Sequence, residues 1–294
     1  MEKRVVFRSA WLPYALVAPQ LAVTIAFFFW PAFDSLRLSL YRASPFGDRL
    51  IFIGLGNYQR LLSDPAYFRS AATSFLFSAL VTVLGLAVAL LLASLANAKI
   101  RGLAAYRTLL LWPYGIAPAI AGVIWLFVFH PSFGVLPYLL SFVTAYQFNW
   151  FLKGWVALVL IVVTAIWKQF GYNLAFYLAG LQAIPGSVLE AASVDGAGPI
   201  RRFFAITFPL LSPVTFFLFT LNMTFSFFDT FGLVHAVTQG GPGEVTSILV
   251  FRAWKDGFEG LQLGYSAAQS VILMLLVVAL TAVQFRFAEK KVTY

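Results

Sequence analysis

"EAASVDGAGPIRRFFAITFPLLSP", residues 190–213, is a polar interruption in a chain that is otherwise mostly apolar. It gathers Glu190 and Asp195, Gly196 and Gly198, Arg201 and Arg202, and the prolines Pro199, Pro209 and Pro213 into one short stretch. That order of residues predicts a helix, a break and a second helix. Just upstream, Ser187 stands three residues before Glu190, the spacing of a capping box. Gly196 is placed to end this first helix, because a left-handed C-terminal turn carries no steric cost for glycine. Pro199 then suits the first turn of the next helix, where a missing N–H is harmless. A connection that only reversed the chain would need a few residues, whereas this one spends about twenty on ordered structure. The expected result is a docking surface for a partner, fixed to the apolar segments on either side.

Those flanking segments set the class. The chain is 61% hydrophobic and only 11% charged, with a mean hydropathy of +0.86, values wrong for a water-soluble domain and normal for a polytopic membrane protein. A run of about 20 apolar residues crosses the hydrocarbon core as a helix that satisfies its own backbone. Six stretches qualify, near 12–36, 68–97, 105–129, 154–183, 207–233 and 265–287. The expectation is an all-α bundle forming a single transmembrane domain over 1–294. Its first segment is too long for a signal-peptide core, and no cleavage site follows it, so it reads as a retained helix. The 32 Phe, 12 Tyr and 8 Trp supply lipid-facing surface and interfacial belts.

Orientation follows from Lys and Arg near the span ends. Lys3, Arg4, Arg8, Lys99, Arg101, Arg107, Arg201, Arg202, Arg286, Lys290 and Lys291 fall on one side, tight against the spans. Arg37, Arg42, Arg49, Arg60, Arg69, Lys153, Arg252 and Lys255 fall on the other, more dispersed. Both termini and the connection 184–206 are therefore expected in the cytoplasm. The net charge of +9 is accounted for by topology and anionic lipid and needs no nucleic acid.

Several chemistries drop out. Without cysteine there is neither a disulfide nor a thiolate metal site. His130 and His235 lack Cys, Asp or Glu at ligand spacing, so no metal is expected. No G-x-x-x-x-G-K-[ST] occurs, so nucleotide is not held by a P-loop. No set of catalytic residues gathers at one membrane depth, and no catalytic role is expected.

Ionisable groups inside spans are costly and are functional candidates by default. Lys168 lies in the fourth expected span and Asp229 in the fifth. Counted from the inner ends at 1.5 Å per residue, Asp229 lies roughly 9 Å further out, too far for a direct ion pair. Lys168, with Gln169, Tyr172 and Asn173 as neutral hydrogen-bonding neighbours, could face a path for an anionic solute such as a phosphate monoester. It could equally anchor a partner subunit. Asp229 suits a structural or gating role near the outer mouth. Asn222 and Gln269 are weaker pathway candidates, since amides in spans often join helices. Pro209 and Pro213 start the fifth span with freed carbonyls, either a hinge or a kink.

The spacing Glu190-Ala191-Ala192, Asp195-Gly196-Ala197, Ile206 and Pro209 resembles the EAA loop of the membrane subunits of bacterial ABC importers, in the carbohydrate-importer branch. Phe208 stands where Leu is usual. Residues 108–134, with Pro113, Pro118, Trp125 and Gly134, are similar to the third span of that branch, and "VTQGGPGEVTSILVFRAWKDGF" (237–258) to its last outer loop. The resemblance implies a type I importer permease fold of six spans in the inner membrane. It implies coupling of the EAA loop to two ATP-binding subunits that hold the ATP and Mg. It implies a second homologous permease subunit and an external solute-binding protein as further partners. The implied cargo is a polyol phosphate such as sn-glycerol-3-phosphate, or else a neutral sugar or oligosaccharide.

Overall fold

The computed structural model describes residues 11–44, 49–97, 103–143 and 149–288. Lys3, Arg4, Arg8, Lys99, Arg101, Lys290 and Lys291 of the expected inner cluster lie outside the described residues. The architecture is helical, with one two-stranded hairpin. Four helices are long and apolar enough to cross a membrane unbroken, and two bent pairs bring the number of spans to six. In chain order the elements are α1 (Leu12–Leu38), β1 (Tyr41–Ala43), β2 (Leu50–Phe52), α2 (Gly56–Leu62) and α3 (Pro65–Ala96). Next come α4 (Thr108–Gly115), α5 (Pro118–Phe129), α6 (Val135–Ser141), α7 (Gly154–Ala183) and α8 (Gly186–Val194). The last are α9 (Pro199–Leu210), α10 (Ser212–Phe228), α11 (Phe231–Val237), α12 (Leu249–Trp254) and α13 (Leu263–Ala288).

Two expected spans are not single straight helices. α4 and α5 meet at 113°, and α9 and α10 at 67°. Proline explains both breaks. Pro118 has no N–H for the carbonyl of Tyr114, so the helix cannot run through Ile116 and Ala117. Pro213 has no N–H for the carbonyl of Pro209, which removes a hydrogen bond that would have crossed the break at Leu211. Proline also marks two π turns. Ile25–Phe29 in α1 and Phe203–Thr207 in α9 each end two residues before a proline, Pro31 and Pro209. In each case the intervening residue donates five back instead of four, Trp30 to Ile25 and Phe208 to Phe203.

The described residues fall into two compact units. The larger, residues 64–252 and 273–294, is built on α3 packed along α7, with α10 against both. Val81, Gly85, Ala89 and Ala93 recur every four residues on α3 and are buried, and small side chains let helix backbones approach where lipid supplies no hydrophobic drive. Leu174, Tyr177, Leu178 and Leu181 of α7 fill the same core, with Leu211 and Leu218 from the fifth span. Gly180 lies so close to Leu211 that a Cβ would sit 2.8 Å from its methyl. Asp64 opens α3 by accepting from the N–H of Ala66 at 2.9 Å, and its other oxygen accepts from Arg252 at 2.9 Å.

The smaller unit, residues 1–63 and 253–272, contains α1, the hairpin, α2 and the start of α13. The strands pair antiparallel, with Tyr41 opposite Phe52 and Ala43 opposite Leu50. Asn57 of α2 is buried and donates from Nδ2 to the carbonyls of Ser39 and Tyr41 at 2.8 and 2.9 Å. α1 buries none of its residues within the chain.

Candidate functional site

The connection 184–206 folds as expected at its end and differently at its start. α8 begins at Gly186, with Pro185 at the N-cap and no side-chain cap hydrogen bond. The Ser187–Glu190 capping box is therefore not formed. Pro185 turns the chain (φ −59°, ψ 130°) and starts the helix early, which leaves Ser187 inside the first turn. The end is a full Schellman motif: the N–H of Ala197 donates to Ala192 and that of Gly196 to Ser193, with Gly196 at φ +74°. Ala192, the last letter of "EAA", is thus the residue whose carbonyl closes the cap, and it is buried. Pro199 opens α9 at its first turn as expected. Arg202 donates to the Ser193 hydroxyl and ties α9 back to α8. Around this frame Val194 is 88% exposed, Ile200 77% and Phe204 67%. Large apolar side chains exposed together in this way mark a surface that faces a partner protein or the membrane.

Within the larger unit, a pocket of about 360 Å³ gathers Tyr114, Pro118, Lys168, Gln169, Tyr172, Thr224 and Asp229, among others. Lys168 lies halfway along α7. Its Nζ donates to the carbonyl of Tyr114 at 2.9 Å and stands 5.1 Å from the centre of that residue's ring. The carbonyl is free because the residue four ahead is Pro118. The broken third span therefore supplies an acceptor for the buried ammonium that an intact helix would have kept for itself. Tyr114 stacks at a tilt on Tyr172, centroids 5.2 Å apart.

Asp229 shares the pocket with Lys168, although the count along straight helices separated them in depth. The 67° bend at Leu211 breaks the straight-helix assumption on which that count rests. No direct ion pair joins the two among the described residues. The pocket thus gathers one cation held by a carbonyl and a ring, the acidic residue Asp229, and the polar residues Gln169, Tyr172 and Thr224. Such a site can bind a small solute that is anionic at one end and hydroxylated at the other.

The other expected pathway residues have different duties. Asn173 and Asn222 are fully buried and exchange side-chain hydrogen bonds at 3.0 and 2.7 Å, clamping α7 to α10. Gln269 lies in the smaller unit, where Nε2 donates to Asp256 at 2.6 Å. None of these three amides is among the residues lining that pocket. Sequence reasoning missed Tyr114 and Thr224; the signal available for Tyr114 was the proline four residues on.

Residues 116–294 match the family described as "Binding-protein-dependent transport system inner membrane component". The chain belongs to that family. As a member of it, this polytopic protein is the inner-membrane component of a transport system that works with a binding protein. It is 52% identical over 99% of both chains to the sn-glycerol-3-phosphate transport system permease protein UgpA of Rhizobium meliloti (strain 1021). It is 51% identical to the protein of the same name from Agrobacterium fabrum (strain C58 / ATCC 33970), over 99% of both chains. Among solved structures, a chain of a bacterial ABC transporter involved in import of the acidic polysaccharide alginate superposes with a TM-score of 0.82 at 19% identity, covering 96% of each chain. That likeness gives the fold, the six-span type I importer architecture.

Proposed function

We propose that this chain is one permease subunit of an ATP-driven importer of sn-glycerol-3-phosphate. The observation that carries the reading is the full-length identity of about half to permeases named for that solute. The pocket supports it: the Lys168 ammonium meets the phosphate, and Gln169, Tyr172 and Thr224 meet the glycerol hydroxyls. Binding is an exchange, in which phosphate oxygens replace the neutral Tyr114 carbonyl as partners of the ammonium. A charged acceptor makes the stronger hydrogen bond, which favours the exchange. The carboxylate of Asp229 repels the phosphate and leaves one orientation, phosphate toward Lys168 and hydroxyls away.

In this reading the loop 184–206 is the cytoplasmic handle of the transporter. Two separate ATP-binding subunits hold ATP and Mg, a second permease subunit completes the pathway, and an external binding protein delivers the solute. Closure of the ATPases carries the exposed face of Val194 and Ile200 with it and shifts the permease pair between inward-facing and outward-facing states. Both termini lie in the cytoplasm. The test is uptake by the reconstituted complex, with labelled sn-glycerol-3-phosphate competing against neutral disaccharides. Preferential uptake of the phosphate is expected, and preference for a neutral sugar would discard the assignment.

A further inference from the structure

Alternation of six spans puts the connections 39–64 and 238–262 on the same side of the membrane, opposite the coupling loop. Parts of both meet in the smaller unit and enclose a second pocket, of about 470 Å³, within the range of small-molecule sites. Two arginines, Arg42 and Arg60, are among its lining residues. Among the described residues neither has a carboxylate within ion-pair distance; Arg60 instead lies 4.4 Å from the centre of the Tyr265 ring. Gln262 lines the same pocket, and its Oε1 is buried without a hydrogen-bond donor.

The walls are held in place. Asn57 bonds the carbonyls of Ser39 and Tyr41, and Gly264 packs so tightly on the Tyr41 carbonyl that no Cβ could be added. Leu261 is kept at φ +53°, a conformation that only a well-determined loop imposes on leucine.

Two cations and an unpartnered acceptor in one rigid cleft complement a small anion that also carries hydroxyls. We infer that Arg42, Arg60 and Gln262 form an outer reception site for a polyol phosphate, which occupies it before reaching Lys168. The inference rests on the proposed solute and adds a second site for it. The anion binds the guanidinium groups, and a hydroxyl donates to Gln262.

The experiment uses the complete transporter in nanodiscs of phosphatidylcholine alone, without the binding protein, and measures binding of labelled sn-glycerol-3-phosphate. Uptake by the unmodified complex, measured alongside, tests the proposed solute independently. With Lys168→Met to silence the inner pocket, binding should persist. Adding Arg42→Gln and Arg60→Gln should weaken it roughly a hundredfold, about tenfold for each charge-assisted pair lost. Gln262→Leu should weaken it severalfold while leaving binding of inorganic phosphate unchanged. Both arginines are exposed, so the exchanges leave folding intact, and size-exclusion of the assembled complex checks this. Unchanged binding in the arginine variant, with uptake of the phosphate by the unmodified complex intact, overturns the reception site alone. Retention of phosphatidylglycerol by the unmodified complex but not by the arginine variant, with no binding of the free solute, assigns the pocket to a lipid headgroup and also overturns it.

Discussion

Gly196 and Lys168 are the residues on which most depends. At φ +74° any L-residue other than glycine is strained by roughly 1–2 kcal/mol, and proline is excluded outright because its φ is fixed near −65° and it lacks the N–H that Ser193 accepts. Gly196→Pro should leave membrane insertion intact yet uncouple ATP hydrolysis from uptake in the reconstituted transporter; tight coupling in that variant would remove the loop from the mechanism. Lys168→Met should lower uptake of sn-glycerol-3-phosphate at least tenfold with normal complex assembly, since it deletes the one cation of the inner pocket. Asn173→Leu should cost about 1–2 kcal/mol, because it leaves the Asn222 carboxamide buried with half its partners. Asn173→Leu with Asn222→Leu should cost less than the single change, and thermal melts of the three variants read the difference. The identities of these residues were plain in the sequence. Their duties were not: Asn173 lies four residues from Gln169 on nearly the same face of α7, and the packing of α10 decides that it joins Asn222 instead of the pocket.

Among the elements, the helices broken by proline carry the architecture. Pro118→Ala would return an N–H to the Tyr114 carbonyl, let the third span run straighter and take from Lys168 its present acceptor. The expected outcome is a transporter that assembles but takes up solute more slowly, and one as fast as the parent would show that the break serves packing alone. Gly180→Val should overfill the contact with Leu211 and Val214, destabilising the complex by roughly 1–3 kcal/mol in a thermal melt. Six apolar runs, the helix–turn–helix of the loop and its glycine cap could all be read from residue order, since each is a local pattern. The 113° and 67° bends could not. Prolines at 113, 118, 209 and 213 announce that hydrogen bonds are missing, but the angle taken up depends on what packs alongside. The failed capping box has a similar origin, because Pro185 competes with Ser187 to begin the helix and only the geometry of the preceding turn decides.

At the scale of the whole molecule, the chain is unfinished. None of α1 is buried, and only 44% of the most apolar window of α3 and 33% of that of α13 are covered, so lipid or partner subunits must cover the remainder. In the proposed division of labour, the protein purified alone should show no ATPase activity. Affinity capture from gently solubilised membranes should bring an ATP-binding subunit and a second permease with it, and a lone chain active under an ion gradient would refute the division of labour. The bend at Leu211 gives that partnership a mechanical reading. α9 is an arm of about 18 Å at 1.5 Å per residue, tied to the turn before it through Arg202 and ending at the buried pivot Leu211. Swinging the arm by about 10° moves its outer tip by about 3 Å, yet barely displaces the pivot. In the proposed importer, an ATP-binding subunit docked on that turn would swing α9 through a wide excursion while the buried end of the arm stays nearly still.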